Sequence, residues 1–269
     1  MTTTDKVFAG SIPTLYETHM VPLIFEPYAE DMARRIAPLR PRRVLEIAAG
    51  TGVVTRSLAT ALDESSAIVA TDLNQPMLDT AKSIGTARPV EWRQADAMQL
   101  PFDDASFDVV VCQFGAMFFP DKAKAFAETR RVLRPGGWFV FNVWDRIEEN
   151  EFADAVTQAL ATVFPQDPPR FMARIPHGYH DRVKIEQDVR AGGFDEPAIE
   201  TIAKRSRAAS PSIPAVAYCQ GTPLRSEIES RNAARLAEAT DTATRTIARR
   251  FGNAAVDGKI QAHVITVAR

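Results

Sequence analysis

Cysteine is scarce in this sequence: Cys112 and Cys219 are the only two in 269 residues. Two thiols cannot build a disulfide framework, and these two show no metal-ligand spacing. Cys112 lies in an apolar run and is expected in the core, so a reducing, cytoplasmic setting fits. No apolar run is long enough to cross a bilayer, and the stretch from Met1 to Lys6 lacks the apolar core of a secretory signal. Neither sign of charge dominates: the net charge is −2, which speaks against a nucleic-acid partner. From residue 201 onward eleven Lys/Arg face five Asp/Glu, an excess read as a solvated helix face rather than a phosphate groove. Disorder is excluded by ordinary hydrophobic (45%) and charged (25%) fractions.

A third glycine is also missing, and that absence discriminates. Residues 43–47, Arg-Val-Leu-Glu-Ile, read as a buried parallel strand ending in a carboxylate. The small residues Ala48, Ala49, Gly50, Thr51 and Gly52 follow, and helical periodicity runs over 53–62. Strand, tight turn and helix open a nucleotide-binding α/β unit, whose helix N-terminus offers free N–H groups to a polar ligand. A dinucleotide fingerprint needs G-x-G-x-x-G. Counted from Ala48 the third position is Val53, and counted from Gly50 it is Thr55, so both registers miss and NAD or FAD is disfavoured.

Two further strands end in acids. Residues 67–72 end in Asp72, twenty residues after Gly52, the spacing at which a carboxylate meets ribose hydroxyls. Residues 90–94 are followed by Asp96. Each acid alone could be a turn residue or a helix cap; three acid-bearing strand ends in succession form a pattern. A helix is expected over 75–84 with Pro76 in its first turn. Strand four covers 109–112 and a helix 122–133, stopped by a turn at Arg134-Pro135-Gly136-Gly137 before strand five at 138–144.

The run Glu46-x-Ala48-Ala49-Gly50-Thr51-Gly52 resembles motif I of the class I S-adenosylmethionine (SAM) methyltransferases, with Ala48 where the family's first glycine stands. With the motifs over 43–144, the resemblance is to the UbiE-like small-molecule branch. It implies an α/β, Rossmann-like doubly wound sheet of about seven strands, the last antiparallel, with helical insertions. SAM is then the cofactor and S-adenosylhomocysteine its product. The cofactor-binding set it implies is Tyr16, Glu46, Ala48, Gly50, Thr51, Gly52, Asp72, Leu73, Met77, Asp96, Ala97, Gln113 and Phe114. Leu73 would flank adenine, Asp96 would accept from its exocyclic amine, and the next N–H would reach a ring nitrogen. The stretch Gln113-Phe114-Gly115-Ala116-Met117 has neither an N-P-P-Y motif nor a Pro-Cys nucleophile, so DNA-base and protein-glutamine chemistry is not implied.

Beyond residue 144 the family pattern thins. Helices are expected over 150–164, 182–191 and 227–251, and strands over 198–203 and 259–268. The whole of 1–269 reads as one methyltransferase domain. Residues 1–40 would form an N-terminal helical lid, including a helix over 26–37, and insertions at 146–180 and 207–257 would form a substrate cap. Methyl transfer from a sulfonium needs alignment, exclusion of water and, for some acceptors, a base. The catalytic group is left unassigned, with His177, His180, His19 and Tyr16 as candidates. No metal is expected, nor a nucleic-acid or membrane-spanning partner. The expected partner is a small, partly apolar acceptor methylated at O, N or C, with the chain a monomer or homodimer. The alternatives are an NAD(P)-dependent oxidoreductase and a non-catalytic SAM-binding subunit.

Overall fold

The computed structural model describes residue 8 and residues 10–269; the start of the expected lid and the stretch Met1–Lys6 lie outside the described residues. Seven strands form one sheet in the order β3-β2-β1-β4-β5-β7-β6. They are β1 Arg43–Ile47, β2 Ala67–Asp72, β3 Glu91–Gln94, β4 Phe107–Gln113, β5 Leu133–Trp144, β6 Ala198–Ala208 and β7 Val256–Ala268. The first five pair in parallel, with Glu46 beside Ala70 and Val111. β7 runs against β5: Gly136 N–H donates to the Arg269 carbonyl at one end, and Asp145 N–H to the Gln261 carbonyl at the other. The expected doubly wound sheet with an antiparallel last strand is what the chain forms.

The chain divides into two compact units. The sheet unit holds Glu26–Val143, Tyr179–Ile202 and His263–Arg269. Here α1 (Glu26–Ile36) and α2 (Val53–Ala61) pack on each other. Ala29, Met32, Ala33 and Ile36 of α1 join Val54 and Leu58 of α2 and Val44, Ile68, Val109, Val140 and Val264 of the strands in one core. The i, i+3, i+4, i+7 stripe of α1 drives that burial. The second half of the stretch 1–40 thus contributes to the core of the sheet unit. α3 (Gln75–Ile84), α4 (Lys122–Val132) and α6 (Arg182–Ala191) also belong here, α5 being introduced below with the other unit. Asp181 caps α6, its carboxylate accepting from the N–H groups of Val183 and Lys184.

The expected turn at Arg134–Gly137 is instead an irregularity inside β5. Phe107 pairs with Leu133, but Val109 already pairs with Trp138, so the extra residues bulge from the ladder, with Gly136 at φ +77°.

The helical unit holds the chain up to Phe25, Trp144–Gly178 and Ala203–Ala262. After a short helical turn over Ile12–Leu15 comes a π-helix over Tyr16–Phe25 that contains Pro22, a residue with no N–H to donate. α5 (Glu151–Val163) and α7 (Ser212–Gln220) both pack on α9 (Leu236–Phe251). Phe152 meets Phe251 edge to face with centroids 4.9 Å apart. The single helix expected over 227–251 is interrupted. α8 (Leu224–Asn232) stops where Asn232 turns extended and its side chain accepts from Ala234 N–H. This local bond competes with the helix, while the apolar spacing runs on undisturbed.

Candidate cofactor site

The sheet order 3-2-1-4 brings the C-terminal ends of four parallel strands side by side, the edge where open α/β folds bind ligands. Glu46, Asp72 and Gln113 lie in the last residues of β1, β2 and β4, and Asp96 lies two residues beyond β3. The ladder extends past the strands: Ala49 N–H donates to the Thr71 carbonyl and Ala95 N–H to that of Asp72.

The loop after β1 is wound by positive φ angles: 57° at Ala48, 57° at Gly50 and 85° at Gly52. Ala48 thus carries a methyl in a conformation that favours glycine. Gly115 makes room for it, since a Cβ at Gly115 would stand 2.4 Å from the Ala48 Cβ. Gly52 is needed for packing as well, because a Cβ there would lie 2.9 Å from the Trp92 ring.

Glu46 is 1% exposed, and its Oε2 accepts from the Thr55 hydroxyl at 2.5 Å. Burial pushes its carboxyl up to about 8 against the pull of that hydrogen bond, and the Asp72 charge pushes the same way. Burial thus favours the neutral form of Glu46. Asp72 is 7% exposed. Its Oδ2 accepts from Gly50 N–H at 2.9 Å, and its Oδ1 from the Asn74 N–H and side-chain amide at 2.8 and 3.4 Å. Burial raises its pKa too, against these bonds. The Leu73 backbone N–H acts on the carboxylate as well, and Asp72 ties β2 to the loop after β1.

Asp96 is exposed, and its Oδ1 accepts from Met98 N–H at 2.9 Å. Met77 and Ala97 are buried, whereas Leu73 is largely exposed. Phe114, at φ 52°, donates its N–H to the carbonyl and to the Oδ1 of Asn142. Its ring meets that of Tyr28 edge to face at 5.3 Å. Thr51 is 1% exposed, and its hydroxyl has no hydrogen-bond partner among the described residues. A buried orphan hydroxyl in a left-handed glycine loop fits a site that a polar ligand completes. The positive charges of SAM and its many hydrogen-bonding groups suit this set of one orphan hydroxyl and two buried carboxyls.

Tyr16 and His19 lie in the π-helix of the helical unit, His177 lies in the helical unit as well, and His180 lies in the sheet unit. The sequence reading missed Thr55, Gly115 and Asn142. Asn142, a polar residue inside the apolar strand Phe-Val-Phe-Asn-Val-Trp, was a readable signal. Gly115 was not, because its neighbour Ala48 comes from far along the chain. Among the described residues, no group of His, Cys, Asp and Glu is arranged to hold a metal ion, and no helix is long and apolar enough to cross a membrane.

Residues 45–141 match the family described as a methyltransferase domain. The ubiquinone/menaquinone biosynthesis C-methyltransferase UbiE of Idiomarina loihiensis is 36% identical over 129 residues, 46% of this chain and 48% of that protein. The demethylmenaquinone methyltransferase of Deinococcus radiodurans is 41% identical over 102 residues, 37% of this chain and 42% of that protein. The chain thus spans about half the length of the curated relatives it matches. In fold it is similar to the crystal structure of YcgJ from Bacillus subtilis, with a TM-score of 0.57 at 19% identity, covering 90% of this chain and 98% of that one. The likeness to methyltransferases of the UbiE kind thus rests on residues 45–141, which hold the motif I loop, β2 to β4 and parts of β1 and β5.

Proposed function

We propose that the protein transfers the methyl group of SAM to a small, partly apolar acceptor. The observation that carries this is the loop Ala48–Gly52, wound left-handed between the buried carboxyls of Glu46 and Asp72, with the orphan Thr51 hydroxyl inside it. The loop and Thr51 would hold the amino-acid end of the cofactor, with Glu46 facing its positive charge. Asp72 would accept from a ribose hydroxyl. Leu73 and Met77 would flank adenine, Asp96 and the Ala97 N–H would read its edge, and Gln113 and Phe114 would close the side next to β4. Bound there, SAM supplies an activated methyl group, so the chain's own work is alignment, exclusion of water and proton removal.

The acceptor side is assigned to the helical unit, where aromatic rings follow one another. Tyr16 stacks on Phe25 at 5.0 Å, Phe25 lies 6.0 Å from Trp144, and Trp144 lies 6.1 Å from His177. Such rings suit a flat, partly apolar molecule. The names of the relatives, which speak of quinone biosynthesis and C-methylation, point to a quinol-like ring. His177 is the base in this reading. Its Nδ1 lies 2.8 Å from the Asp145 carbonyl, an acceptor only, so Nδ1 carries a proton and the neutral ring would take a second one on Nε2. Removing an acceptor O–H proton onto Nε2 would raise the electron density of the ring carbon. That carbon would take the methyl as the sulfonium–carbon bond breaks to leave S-adenosylhomocysteine, and loss of its C–H proton to solvent would restore the aromatic ring. Neither the nicotinamide nor the non-catalytic alternative has an observation in its favour.

The test is transfer of radiolabelled methyl from SAM to a panel of hydroquinones, with product extracted into organic solvent. His177→Gln should lose about a hundredfold in kcat, the usual contribution of a general base, while keeping its affinity for S-adenosylhomocysteine. A variant with unchanged kcat and pH profile would remove His177 from the mechanism.

A further inference from the structure

The sheet unit has a second cleft at the opposite end of its strands. It is about 360 Å³ in volume and is lined by Leu39, Arg40, Arg42, Asp108, Arg134 and Trp138, together with the Pro and Gly residues between them. These residues precede β1 or lie at the starts of β4 and β5. The cofactor loop follows the last residue of β1, and five residues of strand separate the two ends by roughly 15 Å.

The chemistry of the lining is uneven. Asp108 is its only acid, and that acid is fully engaged. Its Oδ2 accepts from the backbone N–H groups of Arg42 and Arg43, both at 2.8 Å, and its Oδ1 is paired with Arg134. The guanidinium groups of Arg40 and Arg42 have no ion pair or hydrogen bond among the described residues, although most arginines of this chain are paired. The cleft is therefore locally cationic in a protein of net charge −2. Arg40 also holds φ 45°, a left-handed position at a helix end where glycine is the usual residue. Leu39 and Trp138, 41% and 37% exposed, are two of the few large apolar side chains at the surface, and both lie in this one cleft. Unpaired guanidinium forks suit a phosphate, and an exposed indole face suits a flat ring.

We propose that this cleft binds a small organic phosphate carrying an aromatic ring, with Arg40 and Arg42 on the phosphate and Trp138 against the ring. A phosphorylated aromatic metabolite and a nucleotide share that chemistry, so both are probed. Titrations of the full chain with 1-naphthyl phosphate and with uridine monophosphate are compared with 1-naphthol and with inorganic phosphate. At least one ring-bearing phosphate should saturate, and bind about tenfold or more tightly than either half alone. The one that binds more tightly names the source. R40A/R42A should weaken it by about tenfold or more, the scale of a lost charge-assisted contact. W138A should weaken the ring-bearing phosphate and leave inorganic phosphate unchanged. All these side chains are exposed, and equal melting curves check that the variants are folded. The proposal is overturned if neither ring-bearing phosphate saturates. It is equally overturned if inorganic phosphate binds as tightly as they do, or if R40A/R42A binds with wild-type affinity.

Discussion

Glu46 and Asp72 are two buried carboxyls that influence each other, and their ionisation shapes both stability and binding. Burial raises the Glu46 pKa from an ordinary 4.5 to about 8. In the unfolded chain this carboxyl ionises as pH passes 4.5, while in the fold it keeps its proton until about 8. Across that window the unfolded state binds fewer protons, so the contribution of Glu46 to stability falls as pH rises. Glu46→Gln should flatten this fall, and melting curves at pH 5 and pH 8.5, compared between wild type and variant, measure it. A positively charged ligand beside Glu46 favours its ionised form, so cofactor binding near pH 7 should release a proton. Calorimetry of SAM binding in buffers of different ionisation enthalpy reads that release, and Glu46→Gln should abolish it. Asp72 calls for a different substitution, because it also anchors Gly50 N–H. Asp72→Asn should weaken S-adenosylhomocysteine binding by about 1.5–3 kcal/mol, the range for hydrogen bonds to a charged group. Asp72→Ala should lose more and also lower the melting temperature. Equal binding by wild type and both variants would leave Asp72 a turn residue only.

At the scale of elements, the loop after β1 and the turn after β4 are fitted to each other through one methyl. A Cβ at Gly115 would stand 2.4 Å from that of Ala48 and 2.8 Å from the Cys112 sulfur. Gly115→Ala should therefore destabilise the fold by about 1–3 kcal/mol, the usual cost of overpacking. Adding Ala48→Gly should restore part of that loss, because the nearer clash goes. Urea unfolding of the wild type, both single variants and the double variant decides whether the two positions are coupled. This fit also shows what could be read from the sequence. α3 and α6 fall on the expected residues because Pro76 and Asp181 mark their starts locally. β2 does so because its apolar run ends at an acid. The bulge in β5, the break at Asn232 and the π-helix were not legible. Each depends on a backbone hydrogen-bond choice that leaves the apolar pattern unchanged. In the site, the acids and glycines announced themselves by spacing. Thr55 and Gly115 matter through tertiary contacts with residues that the spacing does not connect.

For the molecule as a whole, the division of the chain separates two sets of candidate residues. The proposed cofactor residues from Glu46 to Phe114 lie in the sheet unit, while Tyr16, Phe25, Trp144 and His177 lie in the helical unit. The functional reading assigns cofactor recognition to the first and acceptor recognition to the second. Trp144→Ala should accordingly raise KM for the acceptor severalfold while leaving S-adenosylhomocysteine affinity within about twofold, as additivity of independent sites predicts. The most direct measurement is calorimetry of the full chain against S-adenosylhomocysteine and, separately, NADH. Saturable binding of S-adenosylhomocysteine, lost in Asp72→Ala, with no heat from NADH, is the expected result. Saturable binding of NADH with none of S-adenosylhomocysteine would contradict the cofactor site built on Glu46, Thr51 and Asp72.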